Sequence, residues 1–225
     1  MQTLVEGIHH FQQHVFPSKL RLFKRLAKGQ QPIALLIICS DSRINPNLIT
    51  HTEPGELFIV RNVGNMVPPH GVSNNGEAAA IEYSVVELNV QDIIVCGHTH
   101  CGAMQGMLNP KSLRGLPLVR KWLRHGLATT HIMRENYRHL RGSALLAATA
   151  QENVLVQLQH LETYPVVAAR LARGDLHLHG WMYKIETGEV FQYDPRVKQF
   201  VLIEHACQPP DESRSLNASP ARATA

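Results

Sequence analysis

The chain has 225 residues, of which 44% are hydrophobic and 18% charged, which is enough to bury a core of ordinary size. Its formal net charge is +4, but the basic residues are scattered apart from one cluster at 114–125 and the aromatic content is only 6%, so nothing favours binding to nucleic acid. No apolar run approaches the roughly 20 residues of a membrane span, and the first residues lack the pattern of a secretory signal. We therefore expect a cytoplasmic protein.

The chain begins with an apolar arm. Hydrophobic residues recur at helical spacing between residues 3 and 27, with an interruption at Pro17, and this pattern predicts two helices. The apolar residues occupy more than one face of these helices, which therefore need a partner surface. We expect a homodimer or a higher even oligomer.

Strands and helices are expected to alternate after the arm. The predicted strands span residues 33–39, 57–60 and 92–96, followed by a hairpin of 176–185 and 189–193 about a tight glycine turn. Two short helices are predicted to start at residues 45 and 101. A longer helix is predicted at 76–88, with Asn74 or Asn75 as its N-terminal cap. Four more are predicted at 117–125, 132–140, 144–161 and 165–173. This order predicts an α/β fold with a mainly parallel central sheet of about four strands, an edge hairpin, flanking helices and an N-terminal helical arm.

The domain organisation follows from a change in composition near residue 208. Residues 1–207 carry the apolar pattern and predict one domain. From Gln208 onward the chain holds almost no large apolar residue, which predicts a disordered polar tail over residues 208–225.

Two of the predicted strands end in side chains that bind metals. The first strand ends at Cys39, and Asp41 and Arg43 follow at alternate positions, so the three share one side of an extended chain. The third strand runs into His98 and Cys101. Parallel strands place such groups at one edge of the sheet, and a set of two thiolates, one imidazole and one oxygen favours Zn²⁺.

Each of these residues also has an ordinary structural role open to it. A cysteine at a strand end is often a small buried hydrophobe, and we assign that role to Cys96 and Cys207. Asp41 and Arg43 could form only a local ion pair, worth about 1 kcal/mol or less at a surface. A structural zinc site is a further alternative, although such sites usually carry paired cysteines and four protein ligands.

Four short motifs occur together in this chain, between residues 39 and 102, within a resemblance that covers about residues 1 to 200. They are Cys39-Ser40-Asp41-Ser42-Arg43, Arg61-Asn62-Val63-Gly64-Asn65, Ala79-Ala80-Ile81-Glu82-Tyr83 and Gly97-His98-x-x-Cys101-Gly102. Their combination resembles the β-class carbonic anhydrases, most closely the plant and cyanobacterial branch. The resemblance implies a zinc ion held by Cys39, His98 and Cys101, and the reversible hydration of carbon dioxide to bicarbonate and a proton through zinc-bound hydroxide.

The resemblance also implies roles for residues around the metal. Asp41, held by Arg43, is expected to accept the proton of the hydroxide and to orient it, which offsets the charge that two thiolates donate to zinc. Gln30 is expected to orient the substrate from the neighbouring subunit.

An apolar pocket for carbon dioxide is implied in the same way. Phe58, Val63, Tyr83 and Gly102 occupy the positions that resemble this pocket. Plain core packing is an equally good account of the three larger residues.

One departure from part of the family concerns the fourth zinc position. Some bacterial members let the aspartate bind zinc and hold a bicarbonate on an arginine and on a tryptophan three residues before the first cysteine. Here that tryptophan position is Leu36, although Arg61 is present. We therefore predict an open site, in which Asp41 pairs with Arg43 and binds the metal only in a closed state.

Three other histidines have metal-like spacing. His100 is a candidate fourth ligand or proton shuttle, although a histidine next to a ligand is commonly exposed. His177 and His179 share one face of a strand, and without a third ligand we expect them to form hydrogen bonds or an interface.

Two other functions stay open at this point. The same site could hydrolyse carbonyl sulfide or carbon disulfide, or the chain could be a non-catalytic scaffold protein of a carbon-concentrating bacterial microcompartment. A scaffold has no physical need for the complete set of ligands together with Asp41 and Arg43, so the sequence favours the enzyme.

Overall fold

A computed structural model describes residues 1–72 and 76–204. Within these residues, six strands form one sheet in the order β2-β1-β3-β4-β5-β6. The strands are β1 Ala34–Cys39, β2 Leu57–Asn62, β3 Asp92–His98, β4 His177–Tyr183, β5 Val190–Asp194 and β6 Gln199–Leu202. The first four are parallel, and β5 and β6 continue the sheet in antiparallel pairing.

The position of β1 in this sheet decides where a site can form. Every residue of β1 is buried, as both faces of a parallel strand are covered in an α/β protein. The chain leaves β1 to form β2 on one side and returns to form β3 on the other. The carboxyl ends of β1 and β3 therefore flank the point where the strand order reverses, which is the place where ligands bind in open α/β sheets.

Helices surround the sheet and form the arm. They are α1 Gln2–His10, α2 Phe16–Ser18, α3 Leu20–Leu26, α4 Pro46–Thr50, α5 Gly76–Val86, α6 Gly102–Leu108, α7 Pro117–Trp122, α8 Leu127–Asn136, α9 Gly142–Glu162 and α10 Pro165–Arg173. A π-helical segment, Phe11–Val15, joins α1 to α2, and 3₁₀ turns follow α6 and α7. The long helix α9 packs against β3, β4 and α8.

The predicted fold class is confirmed: the sheet is mainly parallel, helices flank it, and a helical arm precedes it. The predicted hairpin is also present, but its first strand, β4, is the fourth parallel strand, paired with β3 along its full length. Strand β6 was missed although three of its four residues are apolar; the run is short, and three of the four residues are exposed at the edge of the sheet. The helix expected at 132–140 instead begins at Leu127 and ends at Asn136.

The arm is helical as predicted, and none of the residues in α1 to α3 is buried. Its helix continues through the π-helical segment and past Pro17, and it breaks at Lys19, whose φ of −111° and ψ of 20° are not helical. Leu4 and Ile8 are 67% and 55% exposed. The arm therefore presents apolar surface that its own chain leaves uncovered.

Two expectations concern residues that the structure does not describe. The cap at Asn74 or Asn75 and the tail at 208–225 lie outside the described part of the chain. No helix in the described residues combines the length and the apolar character that a membrane crossing requires.

Candidate metal centre

Three ligating side chains meet at the carboxyl edge of the sheet. Cys39 is the last residue of β1, His98 is the last residue of the adjacent β3, and Cys101 immediately precedes α6. Their ligand atoms lie within 4.8 Å of one another, and all three side chains are buried. The structure thus brings together the three residues that the sequence selected as metal ligands.

The imidazole of His98 is oriented for coordination. Its Nδ1 lies 2.8 Å from the backbone carbonyl oxygen of Thr99, so Nδ1 carries the proton and donates it. Its Nε2 is buried and has no hydrogen-bond partner within the described residues. A buried lone pair without a partner is costly, and a metal ion satisfies it. His100 has a backbone φ of +56°, and this turn delivers Cys101 to the same point.

The two cysteine side chains are hydrogen-bonded to each other. The Cys101 thiol donates a hydrogen bond that lowers the pKa of Cys39 to about 4 against the opposing effect of burial, and His98 and the Gly64 N–H act in the same direction. The ionised Cys39, together with burial, raises the pKa of Cys101. Two cysteine sulfurs and one imidazole nitrogen within reach of one another suit a soft divalent ion, and two cysteines with one histidine fit Zn²⁺.

Asp41 is held by Arg43 rather than aimed freely at the ligands. Arg43 Nε donates to Asp41 Oδ1 at 2.9 Å and Nη2 donates to Oδ2 at 2.7 Å, and the Arg43 backbone N–H adds a third bond. The guanidinium keeps the pKa of the Asp41 carboxyl far below its ordinary range. Arg43 Nη2 also donates to the His100 carbonyl at 3.1 Å, which ties the loop after β1 to the loop after β3.

Arg61 has a role that its sequence position did not reveal. Its guanidinium donates to the backbone carbonyls of Cys39, Asp41 and Ile44 at 2.9 to 3.2 Å. These bonds fix the loop that carries Cys39 and Asp41. In this arrangement the guanidinium of Arg61 is committed to the backbone.

The predicted substrate residues fall into two groups. Val63 and Gly102 lie next to the ligand loops, directly after β2 and at the start of α6. Phe58 pairs in register with Leu35, four residues before the end of β1, which places it roughly 13 Å along the strands from the metal ligands. Tyr83 is close to Phe58, with ring centroids 5.9 Å apart.

Gln30 lies still further from the ligands of its own chain. It precedes β1, whereas Cys39 ends that strand, so the length of β1, about 16 Å, separates them. Gln30 instead lines a cavity with Leu26 and Gly55 at the opposite end of the sheet.

The other histidines form hydrogen bonds and ion pairs. His179 Nε2 lies 2.7 Å from Asp92 Oδ1, which confirms the hydrogen-bonding role expected for His179, whereas His177 Nδ1 lies 3.8 Å from the same oxygen, too far for a hydrogen bond. His100 is exposed, and its Nε2 lies 3.6 Å from Glu186. The Cys96 thiol is buried away from the cluster, and burial raises its pKa to about 12.

Sequence reasoning missed the hydrogen bonds that hold the backbone next to the Cys39 sulfur. The backbone N–H of Gly64 donates to Cys39 Sγ at 3.4 Å. Trp122 donates to the backbone carbonyl of Val63, and Asn153 donates to the backbone carbonyl of Gly64. One signal was available: Asn153 is a polar residue in the middle of a mostly apolar helix, and such residues are usually buried for a hydrogen bond.

The arrangement defines an α/β protein with a buried Cys-His-Cys centre at the topological switch point. A carbonic anhydrase family model matches residues 34–190. The chain belongs to this family, in its β class, whose members are zinc enzymes.

Individual relatives agree with this assignment. The chain is 50% identical over 216 residues to a carbonic anhydrase of Synechocystis, covering 94% of this chain and 79% of the relative. It is 43% identical over 226 residues to a carbonic anhydrase of Pseudomonas aeruginosa, covering 100% of both chains.

Solved structures give the same result for the fold. The β-carbonic anhydrase CcaA matches with a TM-score of 0.88 and 52% identity over 90% of this chain and 98% of that chain. One of two tetrameric β-carbonic anhydrases of Sordaria macrospora matches with a TM-score of 0.77 and 28% identity over 85% and 95% of the two chains.

Proposed function

We propose that this chain is a zinc-dependent carbonic anhydrase that interconverts carbon dioxide and bicarbonate with uptake or release of a proton. The observation that carries the proposal is the buried cluster of Cys39, His98 and Cys101, with an unpartnered His98 Nε2, in a chain of this family. Zinc bound there supplies a nucleophile from water at neutral pH, an effect established for carbonic anhydrases with an all-histidine site. The relatives do not favour sulfide hydrolysis or a scaffold.

In this proposal the protein orients the reacting water through Asp41. The carboxylate accepts a hydrogen bond from that water through a remaining lone pair, and Arg43 donates to both carboxylate oxygens. Because Arg43 holds the carboxylate in this orientation, Asp41 stays off the metal and the site is open. Leu36 in place of a tryptophan, and Arg61 bound to three backbone carbonyls, support the absence of a closing bicarbonate.

The substrate pocket is proposed to form between two subunits. Val63 and Gly102 lie beside the metal ligands of their own chain. Gln30, Phe58 and Tyr83 lie toward the other end of the sheet, too far to reach those ligands. Tyr83 is 47% exposed, so it is accessible to a second chain. We infer that the partner subunit supplies these three residues, with the Gln30 amide orienting carbon dioxide.

The exposed apolar residues of the N-terminal arm are proposed to form the contact between subunits. Replacing Leu4 and Ile8 together by aspartate is expected to convert a dimer or larger oligomer to monomer and to lower hydration activity about tenfold or more, because the pocket is then incomplete. Sedimentation velocity and hydration rates measure both effects. The double variant Gln12→Asp and Gln13→Asp adds the same charge to the arm and should keep the wild-type mass. An unchanged mass for the first variant would contradict the role of the arm.

The cytoplasmic location stays a prediction, and nothing supports a location within a microcompartment.

The function is tested by measuring zinc content and carbon dioxide hydration on the same preparation. We expect about one zinc per chain and stopped-flow hydration that disappears when a chelator removes the metal and returns when zinc is added. Carbonyl sulfide and carbon disulfide are assayed in parallel. One bound zinc without hydration at any pH would reject the proposal.

A further inference from the structure

The sulfur of Cys39 receives a hydrogen bond from the main chain. The Gly64 N–H donates to Cys39 Sγ at 3.4 Å. Gly64 has a φ of +84°, and a Cβ on it would lie 2.8 Å from the Cβ of Ala103 on α6. Only glycine therefore brings this N–H to the sulfur without moving the helix that follows Cys101.

The peptide group that makes this bond is held from its other side by an indole. The Gly64 N–H belongs to the same peptide as the Val63 carbonyl, and Trp122 Nε1 donates to that carbonyl oxygen at 2.9 Å. A donor on the carbonyl fixes the orientation of the peptide and polarises its N–H, since hydrogen bonds in a chain strengthen one another.

The following peptide is fixed independently from helix α9. Asn153 Nδ2 donates to the Gly64 carbonyl at 3.1 Å. Gln157 donates to Asn153 Oδ1 at 3.0 Å and accepts from the Val67 N–H at 2.8 Å. Asn153 and Gln157 are fully buried. The backbone after Gly64 is thus anchored in the core, whereas the Val63 carbonyl before it is held by Trp122, which is half-buried at the end of α7.

We propose that Trp122 is a positioning residue of the metal centre. Through the Val63–Gly64 peptide it sets the hydrogen bond to Cys39 Sγ, and that bond limits the negative charge that the sulfur donates to a bound metal. A site with two thiolates makes a metal a weak acid unless such bonds offset the donated charge. The inference rests on the proposed zinc site.

The two tryptophans of the chain provide a matched test. Trp122→Phe removes the N–H that reaches Val63 while keeping an aromatic ring beside His125. Trp181→Phe is the control, because Trp181 Nε1 is buried without a hydrogen-bond partner in the described residues. Both proteins are loaded with cobalt(II), which binds such ligands and gives a thiolate-to-metal charge-transfer band. The position of this band reports the charge on sulfur and does not depend on the fraction of folded protein.

The expected result is a charge-transfer band at longer wavelength in Trp122→Phe, because the sulfur then carries more negative charge, with the band unchanged in Trp181→Phe. Trp122→Gln, which restores a side-chain N–H at a similar distance from the backbone, should return the band toward the wild-type position. Equal band positions in Trp122→Phe and Trp181→Phe would overturn the inference. Failure of the wild type to bind either metal would instead overturn the zinc site and, with it, the inference.

Discussion

Replacing Cys101 by serine is expected to remove the metal and to lower carbon dioxide hydration by about a thousandfold or more. The serine hydroxyl is a poor zinc ligand, and Cys39 and His98 alone are too few to hold the ion. Without zinc, the pKa of the reacting water is that of bulk water, far above neutrality, so almost no nucleophile exists at neutral pH. Zinc content after dialysis should fall below about one tenth per chain.

Cys96→Ser is the control for this change. Cys96 is also buried and lies on β3 two residues before His98, but its Sγ contacts the Gly97 carbonyl and stays outside the cluster. The same chemical substitution should therefore leave zinc content and hydration near wild-type values. Full zinc content in Cys101→Ser would contradict its assignment as a ligand, and loss of zinc in both variants would point to general unfolding, which circular dichroism detects.

The convergence of the ligands was predictable from sequence because it depends on strand geometry. Cys39 and His98 each follow a short apolar run, and runs of this kind form parallel strands whose carboxyl ends share an edge. The pairing of Asp41 with Arg43 was predictable for a local reason, since the two residues are separated by one position and form a turn. These inferences need only short-range patterns and one topological rule.

The hydrogen bonds that hold the backbone beside the ligands were not predictable from the same patterns. Trp122 and Asn153 are 59 and 89 residues beyond the backbone carbonyls that they bind, and no periodicity in the sequence encodes such contacts. Arg61 shows a related difficulty. Arg61, on β2, matches an arginine that holds bicarbonate in some members of the family, but the direction of its side chain depends on the backbone of a neighbouring loop, which only the tertiary structure gives.

Gln30 illustrates a different kind of limit. Its sequence position before β1 already places it far from Cys39 in the same chain, so periodicity could not assign it to the site. The role came from resemblance and makes physical sense only across a subunit boundary. A feature that needs two chains is invisible to reasoning about one.

Arg43→Ala is the second change with a large expected effect. We expect hydration to fall about 10- to 100-fold while zinc content stays near one per chain, because Asp41 loses both side-chain donors and is free to approach the metal. The link from Arg43 to the His100 carbonyl is lost as well, which loosens the two ligand loops relative to each other. Hydration rates and zinc analysis measure the effect, and cobalt spectra of the variant would report a change in the fourth ligand.

The chain contains a matched control for this pair in the Asp194 and Arg196 side chains. Arg196 donates to Asp194 through its backbone N–H, Nε and Nη2 at 2.8, 3.0 and 2.8 Å, the same pattern as in the pair at the metal centre. Asp194 ends β5, so Arg196→Ala breaks an equivalent ion pair away from the metal ligands and should change hydration less than about twofold. If Arg43→Ala behaved like Arg196→Ala, the ion pair at the metal centre would be only a surface interaction. An experimental structure with zinc at neutral or basic pH that placed an Asp41 oxygen within about 2.2 Å of the metal would contradict the open site, because a carboxylate bound there takes the position that the reacting water needs.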